Sequence, residues 1–455
     1  MATTYLHKNQ GSPTNAYKFT YSVWLKRSKL GVSQRFYQGY ESGNNRLYAM
    51  MTANDTIFCY GVTGGNTQVN VETIRKYRDT NGWYNVVLKG DSTLSTATDR
   101  FQIWVNGVRE TSLTISSNIN QNTAFGNLVA QSNNTLTISG QESHSELWDG
   151  LMSHIHFTDG YAYDASAFGE TDATTGEWKI KTSPSVTYGN TGYFILKDGN
   201  SVTDQSPNSN NFTVGAGTLT KTEDCPSNVF ATWNSLYRTN ASNFAYGNTE
   251  SQSPSTGGFA GISTLGASSG KYYAEFKLQA ASTAYEACIA VMVGSSISGN
   301  DLPSGYPEYT VGSYGIRQGN ASSGNAFWTT GAGGRTNGSH HGGFSIGDTI
   351  GIALDIDNNR VYFSKGGQWN NSGSWNSATP STYLTLISTY GDGQYLFVSG
   401  DSSGGNTAKW SANFGNGYQQ STAVSSAGTN ASGNGIFEYD VPTGFTALST
   451  KGLNL

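Results

Sequence analysis

Charge is scarce in this sequence. Of 455 residues only 26 are Lys or Arg and 31 are Asp or Glu. No basic run interrupts the polar text, which excludes the electrostatic footprint of a nucleic-acid-binding protein. Cysteine is scarcer still. Cys59, Cys225 and Cys288 are an odd number at wide spacing, so they supply neither a disulfide framework nor zinc-ligand spacing and point to synthesis in a reducing compartment. No run of 18 apolar residues is present, so no membrane-spanning helix is expected. The opening residues "MATTYLHKNQGSPTNAYKFTYSVWLKRS" lack the charged region and apolar stretch of a secretory signal. Helical periodicity is nearly absent as well.

What fills the text is glycine, serine, threonine, asparagine and aromatic residues. With 27 Tyr, 20 Phe and 10 Trp, the chain has too many aromatics for a disordered polymer. Aromatic and β-branched residues suit pleated strands, and Gly and Asn suit tight turns, so turn-rich β-structure is the expected class.

Alternation of apolar and polar residues supports this. In "FTYSVWLKRS", Phe19, Tyr21, Val23 and Leu25 share one face. In "DRFQIWVNGVRE", Phe101, Ile103 and Val105 alternate with Gln102 and Trp104, and Asn106-Gly107 offers the two positive-φ residues of a tight hairpin. "LWDGLMSHIHFTDG" places Leu151, Ser153, Ile155 and Phe157 on one face of a further strand. The only helical turn expected is "DASAFGE", with Asp164 as its N-cap. Residues 201–265 change character, with turns at Ser206-Pro207 and the Ser/Gly/Pro-rich "GNTESQSPSTGGFAG", and read as an irregular connector. Alternation resumes with "GKYYAEFKLQA". "EACIAVMVGSS" is near-continuously apolar and reads as a central strand buried on both sides. The expected class is therefore all-β: two antiparallel sandwiches, residues 1–200 and 266–455, joined by the connector 201–265.

Two sets of motifs resemble known families. "FTYSVWLKRS", "NGWYNVVLKGDS", "DRFQIWVNGVRE" and "DGLMSHIHFTDGYAYDASAFGE" resemble laminin-G/concanavalin-like jelly rolls of bacteriophage virion proteins. "GKYYAEFKL", "FSIGDTIGIALDIDNNRVYFSKGGQW", "ANFGNG" and "PTGFTAL" resemble SPRY domains, and "SPNSNNFTVGAGTLTKTEDCPSNVFATWNSL" is similar to the joining segment of such phage proteins. The resemblance implies a virion structural protein, a fibre, appendage or surface decoration, made in the host bacterial cytoplasm and carried on the virion surface. Its implied partners are other virion proteins and a host-surface glycan or receptor, with no nucleic acid, no membrane insertion and no cofactor. A homo-oligomer is expected, a trimer being one arrangement. No helical shaft or coiled-coil heptad pattern is present, which favours a compact knob or decoration over a long fibre.

Four constellations deserve a chemical test. In "DIDNNR", Asp355, Asp357 and Asn359 fall at positions one, three and five of a calcium loop, but position six is Arg360 and position twelve is Gly366 where Gly and Glu are required. The alternation of Ile350, Ile352, Leu354 and Ile356, resuming at Val361 and Phe363, makes Asp357-Asn358-Asn359 the turn of a hairpin instead. A retaining glycosidase needs two carboxylates about 5 Å apart. Glu438 and Asp440 in "FEYDVP" are a partial match, and Glu146 and Asp149 straddle a turn. The expectation is no catalytic residue, with a glycan hydrolase kept as the weaker alternative. His154 and His156, two residues apart, would share a strand face, but no third metal ligand accompanies them, and His340-His341 reads as part of a glycine-rich loop. Binding is the stronger expectation. Sugars are held by aromatic faces and by amide side chains on loops. "SKGGQWNNSGSW" offers Trp369, Asn370, Asn371 and Trp375, and "NAFWTTGAGGRTNGSHH" offers Trp328, Arg335 and His340. Trp148-Asp149 is a lesser candidate. The competing reading of Trp369 is that it packs back on its own sheet.

Overall fold

Strands that bury apolar residues on one face must find a second sheet to cover them. The chain does this twice. A computed structural model describes residues 3–125, 134–141, 143–197, 201–237, 243–282, 285–296, 306–320, 323–329, 335–387, 393–401 and 407–454; side chains at 116, 285, 320, 323–329 and 335–341 lie outside that description. It divides into two units, Met1–Lys221 and Thr222–Leu455.

The first unit pairs an eight-stranded with a six-stranded sheet. The eight-stranded sheet runs, edge to edge, Leu113–Ser117, Asn66–Thr73, Ile57–Thr63, Asn45–Met51, Gln34–Ser42, Thr135–Ile138, Tyr5–Asn9 and Thr213–Ala216. The six-stranded sheet runs Tyr193–Ile195, Gly150–Asp159, Lys18–Arg27, Tyr84–Asp91, Phe101–Val105 and Val108–Arg109. Phe19, Tyr21, Val23 and Leu25 enter the shared core as the alternation requires, against Leu47, Ala49, Ile57, Cys59 and Val69 of the facing sheet. The Asn106-Gly107 hairpin is present, with φ of 48° and 77°. "DASAFGE" forms a single 3-10 turn, Ala165–Ala167. Asp164 occupies the cap position without capping; its carboxylate goes to Lys89 Nζ at 2.7 Å.

The second unit repeats the plan. Its larger sheet runs Asn243–Ala245, Glu250–Gln252, Ala408–Asn413, Lys271–Ala281, Thr349–Asp355, Arg360–Lys365, Gln368–Asn371 and Ser374–Ser377. Its six-stranded partner runs Phe259–Ile262, Tyr395–Asp401, Tyr285–Val293, Ser313–Asn320, Ser323–Thr329 and Arg335–His341. Tyr285–Val293, the near-continuous apolar segment, is central, paired on both sides. Tyr272, Ala274, Phe276 and Leu278, beside Ile350, Ile352 and Leu354 of the neighbouring strand, enter the inter-sheet core with Phe397 of the facing sheet. The opposite face of the larger sheet is also closed. Tyr273, Ala353, Tyr362 and Trp369 lie beneath Phe437, Val441, Phe445 and Ala447 of the C-terminal segment.

The described residues of the segment expected as a connector include short strands, and the segment is divided between the two units. Thr213–Ala216 pairs with Tyr5–Asn9 in the first, and Phe212 is in that unit's core. Asn243–Ala245, Glu250–Gln252 and Phe259–Ile262 complete the sheets of the second, whose core includes the fully buried Trp233. These strands have three or four residues each, too few to show a period of their own.

Candidate functional site

The region expected to bind is a hairpin, not a loop. Gln368–Asn371 and Ser374–Ser377 pair across Ser372-Gly373, whose φ values of 52° and 99° are the two left-handed residues a two-residue hairpin needs. Trp369 is only 3% exposed. Its ring lies 6.2 Å from that of Tyr273, under the C-terminal segment, so it is a packing residue and offers no face to a ligand. Asn370 is also buried, its Oδ1 accepting from Gly373 N–H at 3.2 Å. Trp375 is half-buried and donates its indole N–H to the Gly342 and Gly343 carbonyls at 2.6 and 3.3 Å, which ties the hairpin to the neighbouring chain. Asn371 alone of these four is exposed. Trp328 lies in the strand Ser323–Thr329, and Arg335 and His340 in Arg335–His341. Trp328 therefore lies in a strand, while His340 and His341 are paired strand where a glycine-rich loop was expected; the side chains of all of these residues lie outside the described residues.

The "DIDNN" carboxylates are spent on the turn, as the alternation implied. Asp355 accepts from Asn358 N–H and Nδ2 at 3.1 and 2.9 Å and pairs with Lys271 Nζ at 3.0 Å. Asp357 Oδ1 accepts from Gly270 N–H at 2.7 Å. The two histidines do not share a simple strand face, because a bulge falls between Ser153 and His156 and His154 has a φ of 46°. Ile155 and Phe157 still reach the core, but Met152 rather than Leu151 packs against it before the bulge. His156 stacks on Phe194 at 3.9 Å. Burial, with His154 and Lys197 nearby, holds its imidazole pKa well below the usual histidine range. Among the described residues no group of three metal-ligating side chains is assembled. Trp148 is buried, edge-on to Phe36 at 6.3 Å, and Glu146 is bound to Arg35.

Glu438 and Asp440 serve the C-terminal segment. Asp440 Oδ1 accepts from Thr429 N–H and Oγ1 at 2.6 and 2.8 Å. The backbone N–H groups of Glu438 and Tyr439 donate to the Glu275 carboxylate, each at 2.8 Å, with Tyr273 OH at 3.1 Å and Asn413 Nδ2 at 3.3 Å as further donors. Glu275 has no exposed surface. Burial pushes its pKa up to about 7 against the pull of these donors.

A surface with ligand-binding chemistry lies elsewhere, on the outward face of the eight-stranded sheet in the first unit. Strand alternation turns Leu47, Ala49, Ile57 and Cys59 inward and therefore Arg46, Tyr48, Phe58 and Tyr60 outward. Register sets them side by side. Gln38, Tyr48, Tyr60 and Asn70 form one row across four strands. Tyr40, Arg46 and Val62 form the row on one side of it, and Met50, Phe58 and Glu72 the row on the other. The rings of Tyr48 and Tyr60 are 5.6 Å apart, and Phe58 lies 6.1 and 6.2 Å from them. All three are half-buried. Arg35 stacks on Tyr48 at 4.0 Å and Arg46 lies over Tyr60 at 6.0 Å. Burial raises the Tyr48 phenol pKa, against the two guanidinium groups, so this ring is neutral at physiological pH. The face thus presents flat apolar rings bordered by amide, hydroxyl and guanidinium groups, the combination that holds a sugar by its C–H surface and its hydroxyls. Sequence reasoning passed over it. The only local signal was Phe58 and Tyr60 two residues apart; Tyr48 joins them only through register.

Residues 2–165 match the family model described as the Concanavalin A-like lectin/glucanases superfamily. No curated protein matches the sequence. Among solved structures, the SPRY domain of human HERC1 is similar at 17% identity over 33% of this chain and 79% of that one, with a TM-score of 0.24. The heptameric SAP-like pentraxin of Limulus polyphemus is similar at 12% identity over 48% and 87%, with a TM-score of 0.31. Domains LG4-5 of the mouse laminin alpha1 chain match at 9% identity over 90% and 85%, with a TM-score of 0.26. The chain is all-β, and its N-terminal region, over residues 2–165, is similar to the concanavalin A-like lectin/glucanases superfamily, a similarity consistent with binding carbohydrate or another ligand.

Proposed function

We propose that this is a non-catalytic saccharide-binding structural protein, displayed on a virion surface, whose first unit attaches to a host-surface glycan through the ring ladder Tyr48, Phe58 and Tyr60. The ladder is the observation that carries the binding reading. It is a continuous, half-exposed aromatic surface flanked by hydrogen-bonding groups, on a domain similar to a lectin superfamily. The virion setting is supported by the resemblance of the strand and connector motifs to phage structural proteins, and by a surface poor in Lys and Arg, which leaves trypsin-like proteases few sites. On this reading the protein is made in the bacterial cytoplasm and assembled on the particle as an oligomer with other virion proteins. The test is adsorption of the purified protein to host cells and its retention by immobilised glycans. Wild type is retained and Tyr48→Ala/Tyr60→Ala is not; equal retention of both would remove the ladder from the account.

A second reading, a decoration that binds neighbouring virion proteins, is favoured by one feature. The edge strand Leu113–Ser117 exposes Ile115, and Ile74, just past the end of its partner Asn66–Thr73, is exposed as well, at 42% and 63%. Exposed apolar edges invite pairing with another chain. A density map of the particle separates the readings: contacts made through this edge favour decoration, and a free edge with the ring face outward favours attachment.

A further inference from the structure

The ring face also carries information about the class of saccharide, and this step rests on the glycan-binding reading above. Its two arginines differ in commitment. Arg35 is engaged: Nε donates to Glu146 Oε2 at 2.6 Å, a terminal nitrogen donates to Gln38 Oε1 at 3.0 Å, and the guanidinium stacks on Tyr48. Arg46 has no carboxylate within ion-pair distance and donates no side-chain hydrogen bond among the described residues; its Nε is buried without an acceptor. The acids of this face are held elsewhere. Glu146 is on Arg35, and Glu72 accepts from Thr56 Oγ1 at 2.5 Å. Glu72 sits two rows from Arg46, a separation of about 13 Å along the strands, with Tyr48 and Tyr60 in the row between. The face is therefore polarised: an uncompensated cation at one end, neutral rings in the middle and a hydroxyl-accepting carboxylate at the other end.

A guanidinium is planar, always charged and matched to a carboxylate by two parallel N–H donors. We infer that this face takes a carboxylated saccharide, a uronic or sialic acid polymer, with the sugar carboxylate on Arg46 and the ring C–H faces over Tyr60 and Tyr48. The carboxylate neutralises the one charge on the face that no protein group answers. Glu72, at the other end of the face, is an acceptor of hydroxyl hydrogen bonds, as it already is for Thr56.

The experiment is titration of the full chain with polygalacturonate, polysialic acid and methyl-esterified polygalacturonate, alongside an array of neutral and sulfated glycans. Wild type binds at least one carboxylated polymer. Arg46→Gln weakens it by roughly tenfold or more, Arg46→Lys by less, and added salt weakens wild type more than Arg46→Gln. Where polygalacturonate is the ligand, methyl-esterification weakens wild type as Arg46→Gln does. Arg46 is partly exposed, so thermal melts of both variants serve as the folding control. Retention of neutral or sulfated glycans alone overturns the carboxylate assignment while leaving the ring face as a glycan site. So does equal binding of a carboxylated polymer by wild type and Arg46→Gln. Retention of no saccharide overturns both.

Discussion

Glu275 shows what becomes of a carboxylate when a sheet face is closed over it. It lies on the same strand face as Tyr273, beneath the C-terminal segment, with four donors and no cation paired with it among the described residues. Its pKa of about 7 lies above the ordinary 4.5. Between those values the folded chain holds a proton that the unfolded chain has lost. Stability from this group is therefore greatest below pH 4.5 and falls as pH rises through 7, by about 3 kcal/mol at most. Glu275→Gln removes this slope: the stability of wild type relative to the variant, from urea unfolding, is greater at pH 5 than at pH 8. An unchanged difference between the two pH values would show that the carboxyl does not titrate in that window. The same cover decides Trp369. Trp369→Ala destabilises by about 3–5 kcal/mol through the cavity it leaves, whereas Asn371→Ala, fully at the surface, changes stability by less than about 0.5 kcal/mol; urea midpoints of the two variants check this. A Trp between Gly/Ser and Asn residues reads equally as a sugar platform or as a packing group. The deciding residues, Phe437 and Phe445, come from a segment far along the chain that local spacing does not connect to it.

At the scale of elements, strands and tight turns were legible where they carried period-two alternation and positive-φ residue types. Asn106-Gly107 and the turn at Asp357–Asn359, where Asn359 has a φ of 54°, fall where alternation ends. Legibility failed where an irregularity shifts phase, as at the bulge before His156, and where strands are short and polar, as in Thr213–Ala216 and Asn243–Ala245. The Ser372-Gly373 turn shows the residual strain such elements keep. Serine tolerates the left-handed region less well than asparagine does. Ser372→Asn keeps both backbone bonds of the turn, Ser372 N–H to Thr382 Oγ1 at 2.8 Å and Gly373 N–H to Asn370 Oδ1 at 3.2 Å. It is expected to stabilise by roughly 0.5 kcal/mol. Gly373→Ala meets no neighbour within 4 Å but must hold a φ of 99°, and so costs roughly 1–2 kcal/mol from backbone strain alone. Thermal melts showing opposite shifts for the two variants test the turn assignment; shifts of the same sign count against it.

At the scale of the molecule, composition reported the all-β class, but where one unit ends depends on long-range pairing. Alternation fades near residue 200, yet the first unit extends to Lys221, because its sheet is finished by a strand whose partner, Tyr5–Asn9, lies at the opposite end of the unit. A fragment ending at residue 200 would lack Thr213–Ala216 and the 4%-exposed Phe212, whose ring packs edge-on to Tyr193 at 4.8 Å. It would also uncover the backbone edge of Tyr5–Asn9 and part of the core beneath it. A fragment ending at Lys221 keeps all of these. The expected outcome is that 1–221 unfolds in one cooperative transition and retains the saccharide affinity of the full chain, because the whole ring ladder lies within it. Fragment 1–200 is expected to be less stable by about 3 kcal/mol or more, the scale of losing a buried phenylalanine, and more prone to associate through its open edge. Equal stability of the two fragments in urea would mean that the last strand contributes nothing to the sandwich. Loss of binding in a cooperatively folded 1–221 would move the saccharide site out of the first unit.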